Sequence, residues 1–169
     1  AQAALDAGRA EHAIRHAGRA LGLVQADPQT ERHLLLIRAT AEIDMRQFPA
    51  ASADARHALE SALADDDATA EGEARRRLGT VAHMQGDLAT SRRQLDAAVD
   101  IFRRAGDEKR LANALRARGF AEVFGGSIPA ARTYLGEAMT LFERLGDERG
   151  QAWAGHNMAW AVFQGGDFT

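Results

Sequence analysis

Apolar residues recur at helical spacing from one end of this chain to the other. Over 10–25, Ala13, Ala17, Ala20, Leu21 and Val24 fall on one face, and Leu35, Ile37 and Ala39 mark a further segment that runs to about Arg46. Gly or a short polar cluster interrupts the pattern at each break. The predicted helices are 1–7 stopped at Gly8, then 10–25, 28–46, 49–64, 70–85, 88–104, 108–125, 128–144 and 148–165, with Phe168-Thr169 opening another. Pro28, Pro49 and Pro129 each fall in a first turn, where a missing N–H costs nothing, so no helix interior is broken.

The breaks keep a fixed step. Gly86-Asp87-Leu88 returns forty residues later as Gly126-Ser127-Ile128 and again as Gly166-Asp167-Phe168, while Arg104-Ala105-Gly106-Asp107-Glu108 returns as Arg144-Leu145-Gly146-Asp147-Glu148. A fixed step of about 20–50 residues marks a stacked repeat. Each Gly suits the left-handed position that ends a helix, and the Asp or Ser after it can cap the next. The unit is therefore two helices. Arg46 shares the frame of Gly86, whereas Gly8 falls 38 residues before Arg46. The expected organisation is one array over 1–169: a partial repeat 1–26, repeats 27–67, 68–107 and 108–147, and a partial repeat 148–169, cut from something longer.

Composition narrows the classes. Ala, Leu, Arg and Glu dominate, which favours helix over strand. A formal charge of −3 offers no global attraction to nucleic acid or anionic membrane, and no direct contact with either is expected. With no cysteine, disulfides and thiolate metal sites are excluded. No apolar run approaches the roughly 18 residues of a membrane span, and residues 1–30 lack a signal-peptide core, so the expected compartment is the cytoplasm.

Chemistry-bearing motifs are sparse. The sequence has no Gly-rich phosphate loop, no zinc-protease helix and no strand–turn–helix context for a nucleophile, so no enzyme is expected. His12 and His16 are spaced to share a metal but lack a third local ligand; neither a metal nor a cofactor is expected. Asp65-Asp66-Asp67 reads as a solvated loop whose acids favour the following helix N-terminus. Arg75-Arg76-Arg77, Arg92-Arg93 and Arg103-Arg104 split between helix faces among Asp96, Asp100, Asp107 and Glu108, which reads as local ion pairing.

Leu78-Gly79 stands just ahead of Gly86, and Gly119 keeps the same distance, seven residues, from Gly126; Ser91 and Ala131, and Ala98 and Ala138, follow at matched places. This pattern resembles the tetratricopeptide repeat in a lengthened form. It departs from the usual motif where Arg75, Leu115 and Gly155 replace an aromatic, and where Arg118 and Met158 fill the column of Leu78. The resemblance implies an all-α, right-handed superhelical solenoid of antiparallel helix pairs. It also implies a protein-interaction role, as in the sensing arms of large bacterial regulators. The excess of arginine over lysine (Lys109 alone) reads as GC-rich coding bias.

In such arrays the first helices line a concave wall. At about 100° per residue, Trp153, His156, Phe163 and Gln164 lie near Trp160 on one arc. Stepping back by forty adds Asn113, Arg116, Phe120, Val123 and Phe124, then Glu73, Arg76, Thr80, His83 and Met84, then His33, Leu36, Thr40, Ile43 and Asp44. The opposite, core-facing side carries Leu78, Ala82, Leu115, Met158 and Val162. The partner-binding candidates are Arg76, Thr80, His83, Arg116, Phe120, Phe124, Trp153, His156, Trp160 and Phe163, with Trp160 expected beside Phe120. The carboxylate clamp of chaperone-associated members is not formed by Arg76, Thr80, Ala117, Trp153 and Asn157, so a C-terminal acidic tail is not the expected ligand. The expected function is a scaffold that binds a peptide or helix of a partner protein. The alternative is self-association through the open repeat ends, or docking within the parent chain.

Overall fold

The computed structural model describes residues 2–23 and 27–166. These residues form eight helices: α1 Gln2–Leu21, α2 Pro28–Asp44, α3 Phe48–Ala64, α4 Ala68–Met84, α5 Leu88–Ala105, α6 Glu108–Gly125, α7 Ile128–Arg144 and α8 Glu148–Gly165. From α2 onward the bounds lie within two residues of those the pattern predicts. The first pair of predicted helices is corrected: Gly8 stops nothing, and α1 runs through it. A Cβ placed at Gly8 would meet nothing within 4 Å, so Gly there costs only its propensity of about 1 kcal/mol, too little to end a helix. Val24 and the helix expected from Phe168-Thr169 lie outside the described residues.

The helix ends share one construction. Arg46, Asp66, Gly86, Gly106, Gly126, Gly146 and Gly166 all have positive φ, from 53° at Asp66 to 82° at Gly126, and they stand twenty residues apart. The amide after each of the first six turns back to a carbonyl of the preceding helix, as when Gln47 N–H donates to Glu42 at 2.8 Å and Asp147 N–H to Phe142 at 2.9 Å. These bonds occupy carbonyls the helix leaves open. The next helix then starts on a cap: the amides of Ala70, Thr90, Arg110 and Gly150 donate to the carboxylates of Asp67, Asp87, Asp107 and Asp147 at 2.8–3.0 Å. Ser127 makes no such bond, and Pro in the first turn of α7 supplies the start instead.

The chain divides into two compact units, residues 1–81 and 82–169. In the first, Leu35 and Leu36 of α2 pack with Ala58 and Ala62 of α3 and Ala70 and Ala74 of α4, with Leu21 against them. In the second, Phe102 of α5, Leu111 and Leu115 of α6, Phe142 of α7 and Ala154 of α8 share one cluster. Val123, Ala131, Leu135 and Ala161 form another, with Met158 packed on it. The forty-residue columns are legible in burial: Leu95 and Leu135, Ala98 and Ala138, and Phe102 and Phe142 are all 0–1% exposed. The matching positions in α3, namely Ala55, Ala58 and Ala62, are fully buried too, but all are alanine.

Gly119 occupies a close crossing of α6 and α7. A Cβ there would stand 2.7 Å from Leu135 Cγ and 3.2 Å from the Ala131 carbonyl, whereas one at Gly136 on α7 would meet nothing within 4 Å. Leu135 is fully buried and has no room to yield. Gly119→Ala should therefore lower stability, the overpacking cost of about 1–3 kcal/mol outweighing the helix gain of about 1 kcal/mol. Gly136→Ala, with only the helix gain, should raise it. Urea denaturation of both variants checks the pair, and an unchanged midpoint for Gly119→Ala would contradict the packing described.

Candidate functional site

Five rings of the second unit form a ladder across α6, α8 and the end of α4. His83 stands 5.3 Å from Phe120 and 5.4 Å from Phe124, centroid to centroid. Phe120 meets Phe124 edge-on at 5.1 Å, Phe124 meets Trp160 at 6.4 Å, and Trp160 meets Phe163 edge-on at 6.0 Å. These separations are those of interacting aromatic pairs. Yet the ladder faces outward: Phe124, Trp160 and Phe163 are 51%, 40% and 61% exposed, and Met84 beside His83 on α4 is 45% exposed. Burial holds the half-buried His83 imidazole below its ordinary range, so the ladder is uncharged at neutral pH. Its Nδ1 is buried without a hydrogen-bond partner.

Three expectations need correction. Val123, expected on this face, is 3% exposed and belongs to the cluster of Ala131, Leu135 and Ala161. Leu36, expected on the same face of α2, is 7% exposed and packs in the core of the first unit. A wide arc drawn on a helix takes in residues at the edge of the neighbour's footprint, and only packing decides on which side they fall. The third concerns Trp160, whose ring meets Phe124 rather than Phe120. The contact lies one turn further along α6 than a forty-residue step implies, because residue counting carries no information on how helices slide along each other.

Trp153 and His156 pair edge-on at 6.2 Å, with Trp153 53% exposed. Trp153 also lines a shallow pocket of about 230 Å³ with Asn113 and Arg116 of α6 and Asp147, Arg149 and Gly150 at the start of α8. Gly150 is dictated by packing, since a Cβ there would stand 2.2 Å from the Phe142 ring. The Asp147 carboxylate already accepts the Gly150 amide at 2.8 Å. Arg149 was missed by the sequence reading, although it stands forty residues after Lys109 in the repeated Gly-Asp-Glu frame; only the approach of α6 to α8 brings it to the pocket. Arg76 and Thr80 lie in the first unit. The Arg76 guanidinium reaches Glu73 at 2.9 Å, and the Thr80 hydroxyl donates to the Arg76 carbonyl at 2.9 Å.

The arginine clusters are mostly engaged. Arg75 binds Glu71 at 2.7 Å, Arg77 donates to the Leu36 carbonyl at 2.8 Å, and Arg103 binds Glu137 at 2.8 Å. Arg92 grips Glu122 through two bonds of 2.7 Å, and Arg118, buried over the Tyr134 ring, joins Glu122 to Asp96. The Asp65–Asp67 turn is exposed at Asp65 and Asp66, as expected of a solvated loop, and is in addition tied down: buried Arg32 reaches Asp65 and Asp67 together with Ser61. Among the described residues no group of three or more His, Asp or Glu side chains is placed to hold a metal, and no helix is long and apolar enough to cross a membrane.

Residues 69–144 match the family model of the tetratricopeptide repeat. Over that stretch the chain is similar to tetratricopeptide-repeat proteins, which supports a place in that family. Its all-α fold of consecutive packed helices is of that kind, and repeats of this family are protein-interaction scaffolds. No curated protein is significantly similar to the chain.

One titration in the repeat is large enough to test. Burial pushes the Glu73 carboxyl up, but Arg76 and Arg77 outweigh it and hold its pKa at about 2. A depressed pKa contributes stability above the ordinary carboxylate value, and that stability is lost as pH falls toward the folded value. Glu73→Gln should thus cost about 1–3 kcal/mol at pH 7, with the gap to the wild type closing as pH falls from 4.5 toward about 2. Denaturant melts at pH 7 and pH 3 measure it, and a gap independent of pH would contradict the ion pairing.

Proposed function

We propose that the chain is a non-enzymatic, cytoplasmic scaffold that binds a helix or peptide of a partner protein on the exposed ring ladder. In this reading it is one array, serving as the sensing arm of a larger bacterial regulator. The observation that carries the proposal is the ladder itself. Five aromatic rings in contact, three of them between 40% and 61% exposed, form an apolar strip on the surface. Contiguous exposed apolar patches of this kind mark interaction sites, and aromatic side chains dominate binding energy where they occur at interfaces. Phe120, Phe124, Trp160 and Phe163 serve as anchors. His83 closes one end, and Arg116, Trp153 and His156 flank the strip. Arg76 and Thr80, in the first unit, stand forty residues before Arg116 and Phe120 in sequence.

An amphipathic helix or an extended segment with apolar anchors suits such a surface better than a charged tail. Truncation of a central aromatic anchor costs about 2 kcal/mol or more, whereas truncation of a rim charge costs less and acts mainly on association. Trp160→Ala should therefore weaken partner binding about 30-fold or more, Arg116→Ala less, and His12→Ala not at all. Because Trp160 is partly exposed, the variant should melt close to the wild type. Affinity purification of the partner followed by calorimetry on the three variants provides the check; unaltered affinity in Trp160→Ala would overturn the proposal. A dimer that forms with rising concentration and is dispersed by Trp160→Ala would favour self-association.

A further inference from the structure

His83 closes one end of the ladder in surroundings that suit only its neutral form. It stands in the last turn of α4, and its ring meets Phe120 at 5.3 Å and Phe124 at 5.4 Å. Those two phenyl rings meet each other at 5.1 Å, so the three form a closed triangle. Nδ1 is buried in it without a hydrogen-bond partner. With its proton on Nε2, the neutral imidazole presents Nδ1 as an acceptor, which is the cheaper kind of group to leave unpaired. The imidazolium has an N–H on both nitrogens, and its Nδ1–H would be a charged donor with nothing to accept it.

The charged groups around it are engaged elsewhere. On α4, Arg76 and Arg77 stand six or more residues earlier, and both are paired with Glu73. Asp87, four residues after His83, accepts the Thr90 amide. On α6, Arg116 precedes Phe120 by one turn, while Arg118 and Glu122 are tied to Asp96 and Arg92 of α5. On α8 no Asp, Glu, Lys or Arg stands between Gly150 and Gly165, and His156 pairs with Trp153. Phenyl faces and the C-terminal end of a helix both attract a cation, but neither supplies the acceptor that a buried N–H requires. Burial accordingly lowers the imidazole from its ordinary value of 6.5.

We propose that His83 is a proton-sensitive latch on the docking surface: neutral, its ring braces Phe120 and Phe124, and on taking up a proton it leaves them for solvent. The ladder then loses the edge against which a partner's apolar side chains seat, so docking is tight at neutral pH and weakens in acid. This inference rests on the ladder being a docking surface. One pH unit below the His83 midpoint, about one chain in eleven keeps the neutral ring, which raises the apparent Kd about tenfold. Because the folded value is depressed, the stability His83 contributes is complete above 6.5 and is lost as pH falls toward that value.

The latch is tested first without a ligand, by proton NMR of the purified chain titrated from pH 8 to pH 4. The His83 ring should titrate below 6.5, and the ring signals of Phe120 and Phe124 should shift with the same midpoint. His83→Phe keeps a ring that takes up no proton, so in this variant those shifts should vanish and the stability lost by the wild type below 6.5 should be retained. A His83 midpoint at or above 6.5, or phenylalanine signals that ignore it, would overturn the inference. Docking is then measured with a 16-residue peptide free of Asp, Glu and His, selected from a phage library on the chain at pH 7.5 and lost in Trp160→Ala. Its Kd should rise about tenfold one unit below the His83 midpoint in the wild type and in His156→Gln, and about twofold or less in His83→Phe. A Kd indifferent to pH, or a rise that persists in His83→Phe, would overturn the latch and leave the ladder standing. A library that yields no peptide dependent on Trp160 would overturn the docking reading, and this regulation with it.

Discussion

The recurrence of a left-handed residue at every twentieth position, from Arg46 to Gly166, is the constraint on which the rest depends. Each of the first six turns the chain back so that the following amide bonds to the helix just ended, and at four of them the next side chain, an Asp, caps the helix about to begin. Helices α2–α8 are thereby held to 17 or 18 residues. Equal lengths keep equivalent residues in equivalent places, which is why Phe102 and Phe142, or Leu95 and Leu135, are buried alike. Gly occupies this position without penalty in five turns, whereas Arg46 and Asp66 hold it at a cost of about 1–2 kcal/mol each. At Asp66 the strained turn is flanked by Asp65 and Asp67, both held by Arg32, so the surrounding contacts fix what the backbone disfavours.

The two units fill their interiors differently. In the second, Phe102 and Phe142 supply bulk from the second helix of each pair, and small residues such as Ala112 and Gly150 face them. In the first, Ala62 takes the place of the phenylalanine, and Arg32, forty residues twice removed from Ala112, brings bulk from the first helix with its charge neutralised by Asp65 and Asp67. Buried ion pairs of this sort contribute little net stability unless every partner is satisfied. Arg38 and Glu42 repeat as Arg118 and Glu122 eighty residues on. The glutamates nevertheless titrate in opposite directions. Glu122 receives bonds from Arg92 and is held below the usual carboxylate range, with Arg118 adding to the effect. Glu42 is pushed up by burial and by nearby Asp54, which claims the Arg38 guanidinium at 2.6 and 2.7 Å.

Much of the candidate site was legible because its residues repeat at the helical step. The pairing of Phe120 with Phe124 follows from one helical turn, and the outward placement of Trp153, Trp160 and Phe163 follows from their arc on α8. Arg149 shares a column with Lys109, but its place at the pocket comes from the nearness of α6 to α8, which the repeat frame does not carry. The contacts of His83 with Phe120 and Phe124, and the burial that depresses its basicity, depend on a contact across helices.

The chain's own order of residues determined the elements and their period. Glycine at the turns, a polar cap after it and apolar spacing within each helix act through local backbone sterics and hydrogen bonds, which neighbouring residues largely settle. Tertiary packing alone decided which edge residues go inside, as with Val123 and Leu36, and which ring touches which, as with Trp160 and Phe124. It also decided that the Asp65–Asp67 turn is anchored by an arginine more than thirty residues away. These outcomes turn on how far one helix slides along another and how much volume each must fill. Such quantities belong to pairs of surfaces in contact, and no single segment carries them.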